Sequence, residues 1–149
     1  VAVDLSKWGV HQAKKTKRED FLVCDAQANL PFKEGSFDLV TCFDVLEHLK
    51  SPESALTQML RICNGALVCT TPNGTSEKYV KRIIGDQDET HINSRSAPQW
   101  KRSIVNIAHP KIVRVDTFLD FSGKIGQRFI HKSFKLPKLG STVRVAIVK

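Results

Sequence analysis

Short apolar runs alternate with stretches in which apolar side chains recur every three or four positions, and this alternation continues through the first hundred residues. Residues 1–3, 21–24, 37–43 and 66–70 read as buried strands. The first two end in Asp4 and Asp25, and the third breaks into Asp44-Val45-Leu46-Glu47-His48-Leu49. Between the strands the spacing predicts helices. Ser6 is a good N-cap for a helix running to about Lys15, with Trp8 and Ala13 on inner positions and Lys14 to Lys17 at the negative end of its dipole. Ser51 caps a second helix with Pro52 at its first position, and Ala55, Leu56, Met59, Leu60 and Cys63 make its buried face. Asn64-Gly65 predicts a left-handed end to that helix. A third helix over 76–84 would turn Tyr79, Val80, Ile83 and Ile84 inward, and a fourth over 97–108 would bury Trp100, Ile104 and Ile107.

The remainder is less regular. Residues 112–115 and 143–148 read as strands, the former extending less firmly to 121, while the basic, aromatic-dotted stretch 123–137 suits a loop or excursion. Strand–helix alternation predicts an α/β fold: a Rossmann-like open sheet, mostly parallel. The last two strands have no helix between them and should pair as a C-terminal antiparallel hairpin. Ligands on such sheets gather at the carboxyl ends of the strands. Asp4, Asp25, Asp44, Glu47 and His48 stand at those ends.

Composition adds little beyond bounds. The 149 residues read as a single domain, and a hydrophobic fraction of 41% supports a real core. No apolar run approaches membrane-spanning length and no signal-peptide pattern is present. Cys24, Cys42, Cys63 and Cys69 lack CxxC spacing, which fits free thiols in a reducing, cytoplasmic setting. The net charge of +8 is densest at Lys14 to Arg18 and Lys124 to Lys138. Such patches attract phosphate-bearing partners, but no aromatic-plus-basic RNA motif accompanies them, so solvated surface is favoured over nucleic acid. The chain opens at Val1 in what reads as mid-strand, which predicts an upstream portion.

Taken together, several of these residues resemble the class I S-adenosylmethionine-dependent methyltransferases, in the branch that includes ubiquinone-biosynthesis O-methyltransferases. They are Val3-Asp4-Leu5-Ser6, Asp25-Ala26 with Leu30-Pro31-Phe32, Phe37-Asp38-Leu39-Val40, Val45-Leu46-Glu47-His48-Leu49 and Thr70-Thr71-Pro72-Asn73. The resemblance covers roughly residues 1–95. It implies that Asp4 accepts hydrogen bonds from the ribose hydroxyls of S-adenosylmethionine, because a carboxylate offers two acceptors to a cis-diol. It implies further that Asp25 and the Ala26 N–H hold the adenine, that Leu5 packs on the adenine face and that Phe43 lies against the cofactor. The alternative for each Asp alone is a helix cap or strand-end turn.

One departure from the family pattern is large. No glycine-rich GxGxG-like turn occurs, and the family's first strand, central in its 3-2-1-4-5-7-6 sheet, has no counterpart. The chain thus reads as a single, partial methyltransferase domain that on its own binds the cofactor weakly or not at all. The less favoured account is a degenerate homologue in which the strands flanking the missing one meet directly.

Methyl transfer needs a general base only when the acceptor must lose a proton, and His48 and His91 are the candidates. A structural role is open to each: a helix-start residue for His48, an ordinary loop residue for His91. His109, before Pro110, reads as a turn residue. If the turn is helical, Asp44, Glu47 and His48 share a face that would suit Mg²⁺. In the ubiquinone-biosynthesis O-methyltransferases a similar acidic-x-x-Glu-His run implies a divalent cation that polarises a catechol oxygen, but Leu-Glu-His is widespread in family members without metal dependence, so no metal ligand is expected. The leading functional expectation is methyl transfer to a small-molecule or saccharide acceptor. The runner-up is a non-catalytic remnant whose basic surface binds nucleic acid or a protein. Neither the acceptor nor the oligomeric state is legible.

Overall fold

In the computed structural model, residues 1–16, 20–84, 89–107, 112–125 and 128–149 are described. The order is β1 (Ala2–Asp4), α1 (Lys7–Thr16), β2 (Phe21–Val23), β3 (Phe37–Phe43), a 3₁₀ turn (Leu46–His48), α2 (Pro52–Ile62), β4 (Cys63–Pro72), α3 (Gly74–Ile84), α4 (Ala97–Ile107), β5 (Ile112–Ile125), β6 (Arg128–Lys135) and β7 (Thr142–Val148). Lys17, Arg18 and His109 lie outside the described residues, as do the side chains of Val80, Ile83 and Ile84.

The strands form two sheets. β1 and β2 pair in parallel, and a second sheet has the order β3-β4-β7-β5-β6. No ladder joins β1 to β3 among the described residues, so the account in which those strands meet directly is not what the chain does. β3 and β4 are parallel, while β7 runs antiparallel between β4 and β5. The antiparallel portion is larger than the sequence suggests. β5 forms its hairpin with β6, from Phe118↔Lys135 to Ile125↔Arg128, so the stretch expected to be a loop is largely strand. β7 pairs antiparallel with β5, from Ile112↔Val148 to Phe118↔Thr142, as the sequence predicts for these two strands; β6 lies between them in the chain, and the other edge of β7 pairs with β4.

The core lies between this second sheet and helices α2 and α4. Ala55, Leu56, Met59 and Leu60 of α2 pack with Trp100 and Ile104 of α4 against Leu67 and Cys69 of β4 and Val143, Val145 and Ile147 of β7. Alternate β7 residues are buried, as expected of a strand covered on one face. The α2 face is therefore the one its spacing predicts. Its end is not. Cys63 is already extended, and β4 begins there, with Asn64 and Gly65 inside the strand. Gly65 is needed for close approach: a Cβ would meet the Asp38 carbonyl oxygen at 2.4 Å. Two other expectations fail on exposure. Trp8 (73% exposed) and Tyr79 (60%) face outward, and α1 instead buries Val10. The four cysteines are free, three of them buried.

Candidate active site

Two clusters of polar groups stand at strand ends. The first is built on β1 and β2. Their parallel register pairs Asp4 with Val23, so Asp4 and Asp25 project from the same end of the pair. Asp4 is exposed, and its Oδ1 accepts the Ser6 N–H at 2.7 Å; the Ser6 hydroxyl in turn accepts the Gly9 N–H at 3.0 Å and caps α1. Asp25 Oδ1 accepts the Gln27 N–H at 2.8 Å. Both carboxylates thus make strand-end turns through one oxygen. Ala26 packs against the core, whereas Leu5 and Phe43 are exposed.

The loop after β2 is fastened to α2 by polar groups. The Arg61 guanidinium donates to the carbonyls of Phe32 (2.8 Å) and Leu30 (2.7 Å) and to Asn29, and the Leu30 N–H donates to Gln58. From the other side, the Ser51 N–H donates to Gln27 Oε1 at 2.8 Å. Asp25 is thereby indexed to the start of α2.

The second cluster follows β3. Asp44 adopts φ +50°, a left-handed conformation that Asp tolerates better than most residues. Its N–H donates to the Thr70 carbonyl, and its carboxylate accepts the Thr70 hydroxyl at 3.1 Å. The chain then enters the 3₁₀ turn, with Leu46 buried as its anchor. Asp44 precedes this turn in a different conformation, so it shares no helical face with Glu47 or His48.

Glu47 is fully buried, and neither carboxylate oxygen has a hydrogen-bond partner among the described residues. Burial pushes its pKa up and the Asp44 charge adds to this, against its own N–H, the neighbouring Thr71 hydroxyl and His48. His48, by contrast, is exposed, and its Nδ1 lies 3.2 Å from the Thr90 carbonyl.

The 89–96 connection is clamped across this turn. The Asn93 N–H donates to the Glu47 carbonyl at 2.9 Å, and its side-chain amide donates to the Leu49 carbonyl. Arg95 pairs with Glu53, donates to Ser103 at 2.8 Å and lies 4.9 Å over the Trp100 ring. The Arg95 bond holds the Glu53 carboxyl below its usual range. Gly74 lets the connection approach α3, since a Cβ there would lie 2.8 Å from the Ser94 carbonyl. The result places His91 against His48, ring centroids 4.8 Å apart, with His91 Nδ1 2.7 Å from Glu77 Oε1. The two expected histidines therefore meet. Glu77, missed in the sequence, orients one of them; only the fold brings it there.

A cleft of about 540 Å³ opens elsewhere, lined by Gly74, Thr75, Lys78, Tyr79, Arg82 and Ser94 among others. It includes none of the strand-end residues.

Known proteins resemble this arrangement. Residues 1–69 match the family model described as a methyltransferase domain. A ubiquinone biosynthesis O-methyltransferase from Azoarcus sp. (strain BH72) is 27% identical over 97 residues, covering 64% of this chain and 42% of that protein. One from Hahella chejuensis is 32% identical over 71 residues, covering 46% and 30%. These likenesses support a class I S-adenosylmethionine-dependent methyltransferase. The matched region of the chain spans about two-fifths or less of these two relatives. Solved structures agree on the fold. A SAM-dependent methyltransferase from Thermotoga maritima, described as a possible histamine N-methyltransferase, superposes with TM-score 0.78 at 20% identity over 99% of this chain and 72% of its own. Magnesium protoporphyrin IX methyltransferase from Synechocystis, solved with bound SAH, gives 0.65 at 14% identity over 99% and 62%. The methyltransferase fold thus extends past residue 69 to the C-terminal strands. No helix among the described residues is long and apolar enough to cross a membrane.

Proposed function

We propose that this methyltransferase-family chain carries the adenosine grip and the proton-accepting side of a methyl-transfer site for a small-molecule or saccharide acceptor. The observation that carries the reading is the parallel β1–β2 pair, which sets Asp4 and Asp25 at one end inside the region matched to the family. The acceptor chemistry suits the cofactor: each carboxylate uses Oδ1 for its own turn. That leaves the second oxygen of Asp4 for a ribose hydroxyl and that of Asp25 for the adenine amino group. Leu5 and Phe43 offer exposed apolar surface to the purine and its tail. When bound, the cofactor would supply an electrophilic sulfonium methyl.

The chain's own contribution is then proton management. A carbonyl only accepts, so the His48 ring must donate its Nδ1–H to Thr90, which leaves the lone pair on Nε2. That nitrogen takes the proton that an acceptor hydroxyl loses. His91, held by Glu77, stands edge-on to the ring and steadies the imidazolium formed. The apolar positions exposed along β1 and β3 (Val3, Leu39, Phe43) are surface that a further strand would cover, and unpaired edges are costly. Cofactor affinity in the 149 residues alone is accordingly low. The test is calorimetry with S-adenosylhomocysteine: micromolar affinity for residues 1–149 would contradict that expectation. In the complete protein, unchanged affinity after Asp4→Ala would contradict the grip itself.

A further inference from the structure

We propose that a trough bordered by α3, α4 and β5 binds a soluble organic phosphate, a phosphate ester with an apolar body. Two clefts make the trough. The first, of about 540 Å³, is lined by Lys78, Tyr79, Arg82 and Ser94 among others. The second, of about 460 Å³, is lined by Pro98, Lys101, Val115, Pro137 and Lys138 among others. Thr75 and Ser96 line both, so the two adjoin. Each falls in the range of about 300–1,000 Å³ that small-molecule sites occupy. Neither includes Asp4, Asp25, His48 or His91, so the site is separate from the methyl-transfer reading.

Charge selects an anion. Lys78 and Arg82 stand one helical turn apart on the face of α3 that lines the first cleft. Both are exposed, and neither has an ion-pair partner among the described residues. Among those residues no carboxylate lines the first cleft, and the one that lines the second, Asp116, is taken up by Lys135 at 2.7 Å. Lys101 and Lys138 add two more exposed ammonium groups. A cleft lined by one sign of charge concentrates ions of the other sign. Two cations in the first cleft match the charge of about −1.5 to −2 on a phosphate ester at pH 7 better than the single charge of a carboxylate. The Arg82 guanidinium offers phosphate a planar fork and Lys78 a point charge. The Ser94 hydroxyl is an independent observation: it is shielded from water and has no hydrogen-bond partner among the described residues. Such a group is costly, and rotation about its χ1 to another staggered well would give it a phosphate oxygen.

The second cleft suits the rest of the ligand. Ala97, Pro98, Val115 and Pro137 give it apolar walls. Its lysine edge is held by buried polar groups. The Asn73 side-chain amide donates to the carbonyls of Lys138 at 3.2 Å and Gly140 at 2.7 Å, and the Thr117 hydroxyl donates to the Leu136 carbonyl at 2.6 Å. These bonds keep Lys138 at φ +68°, a left-handed conformation that is unfavourable for Lys. Strain of this kind persists where the surroundings over-determine it and gathers at ligand sites.

The experiment is calorimetry of the full-length protein with naphthyl phosphate, in the absence of cofactor and acceptor, beside inorganic phosphate and naphthoate. One saturable site per chain is expected for the ester, with the other two each about tenfold weaker or more. Lys78→Gln and Arg82→Gln, at exposed positions, should each weaken it about tenfold or more. Lys138→Gly, which keeps the left-handed backbone, should weaken it severalfold. Lys33→Gln removes an exposed charge that lines neither cleft and should leave affinity unchanged. S-adenosylhomocysteine affinity should be the same in Lys78→Gln and Arg82→Gln as in the wild type, which also shows that both fold. Absence of saturable binding, an equal loss in Lys33→Gln, or binding that survives the Lys78→Gln, Arg82→Gln double variant overturns the proposal. So does naphthoate or inorganic phosphate binding as tightly as the ester. Binding to phosphatidylglycerol vesicles without binding to the soluble ester would assign the lysines to a membrane surface and overturn it as well.

Discussion

The five-stranded sheet is held by apolar burial, whereas the β1–α1–β2 unit before it is fastened largely by hydrogen bonds to α2. In the sheet, Leu67, Cys69, Val143, Trp100 and Leu56 are fully buried within one cluster. In the unit, every residue of β1 is exposed, Val10 is the single buried residue of α1, and Ala26 alone of the following segment packs on that cluster. What joins the two is Arg61, Gln58 and Gln27 reaching loop and helix backbone. Polar bonds in partly solvated positions contribute about 0.5–1.5 kcal/mol each, far less than buried aromatic or aliphatic side chains. The carboxylates proposed to grip the adenosine, Asp4 and Asp25, therefore sit on the region held more by polar bonds than by apolar burial.

Substitutions can separate the two regions. The largest effect belongs to the buried cluster: Trp100→Ala should cost about 3–5 kcal/mol of global stability, read as a lowered urea midpoint. Gly65→Ala comes next, because its Cβ collides with backbone and must part β3 from β4. Exchange protection should fall along both strands. Arg61→Met should cost about 1–3 kcal/mol and act locally. Amide exchange should rise over 26–36 and β2, while β4 and β7 stay protected. Equal loosening of the sheet would show that the regions are not separable.

The smallest effect is in pH dependence. Glu47 has a raised pKa, so the stability tied to its protonated form is full below the ordinary carboxylate range and is lost as pH rises through the raised value. Glu47→Gln removes that loss. Relative to the wild type, the variant should gain stability between pH 4 and pH 7, by about 1.4 kcal/mol for every tenfold by which burial weakens the acid. A parallel pH profile for both proteins would contradict the assignment.

How much of this was legible from the residues differs between the same two regions. The buried face of α2 follows from spacing, and Asp4 and Asp25 follow from strands that end in carboxylates. Trp8 and Tyr79 misled, because an exposed aromatic on a short helix contributes to periodicity as a buried one does. β6 was opaque for a different reason. It is an edge strand whose residues from His131 onward are exposed on both faces, so no apolar alternation marks it. Asn64-Gly65 looked like a helix end because the same dipeptide serves a strand pressed against Asp38. The His48–His91 pair spans 43 positions by subtraction of their numbers. Only the clamp of Asn93 and Arg95 across the turn closes that gap, and Glu77 joins through α3. No local pattern encodes such a meeting.

The most direct measurement is S-adenosylhomocysteine calorimetry on the full-length protein, comparing wild type with Asp4→Ala and Asp25→Ala while urea midpoints are tracked alongside. The account predicts at least a tenfold loss of affinity in each variant, about 1.4 kcal/mol, with stability nearly unchanged in Asp4→Ala because Asp4 is exposed. Wild-type affinity in both variants would place the adenosine somewhere other than the β1–β2 rim and contradict the central claim.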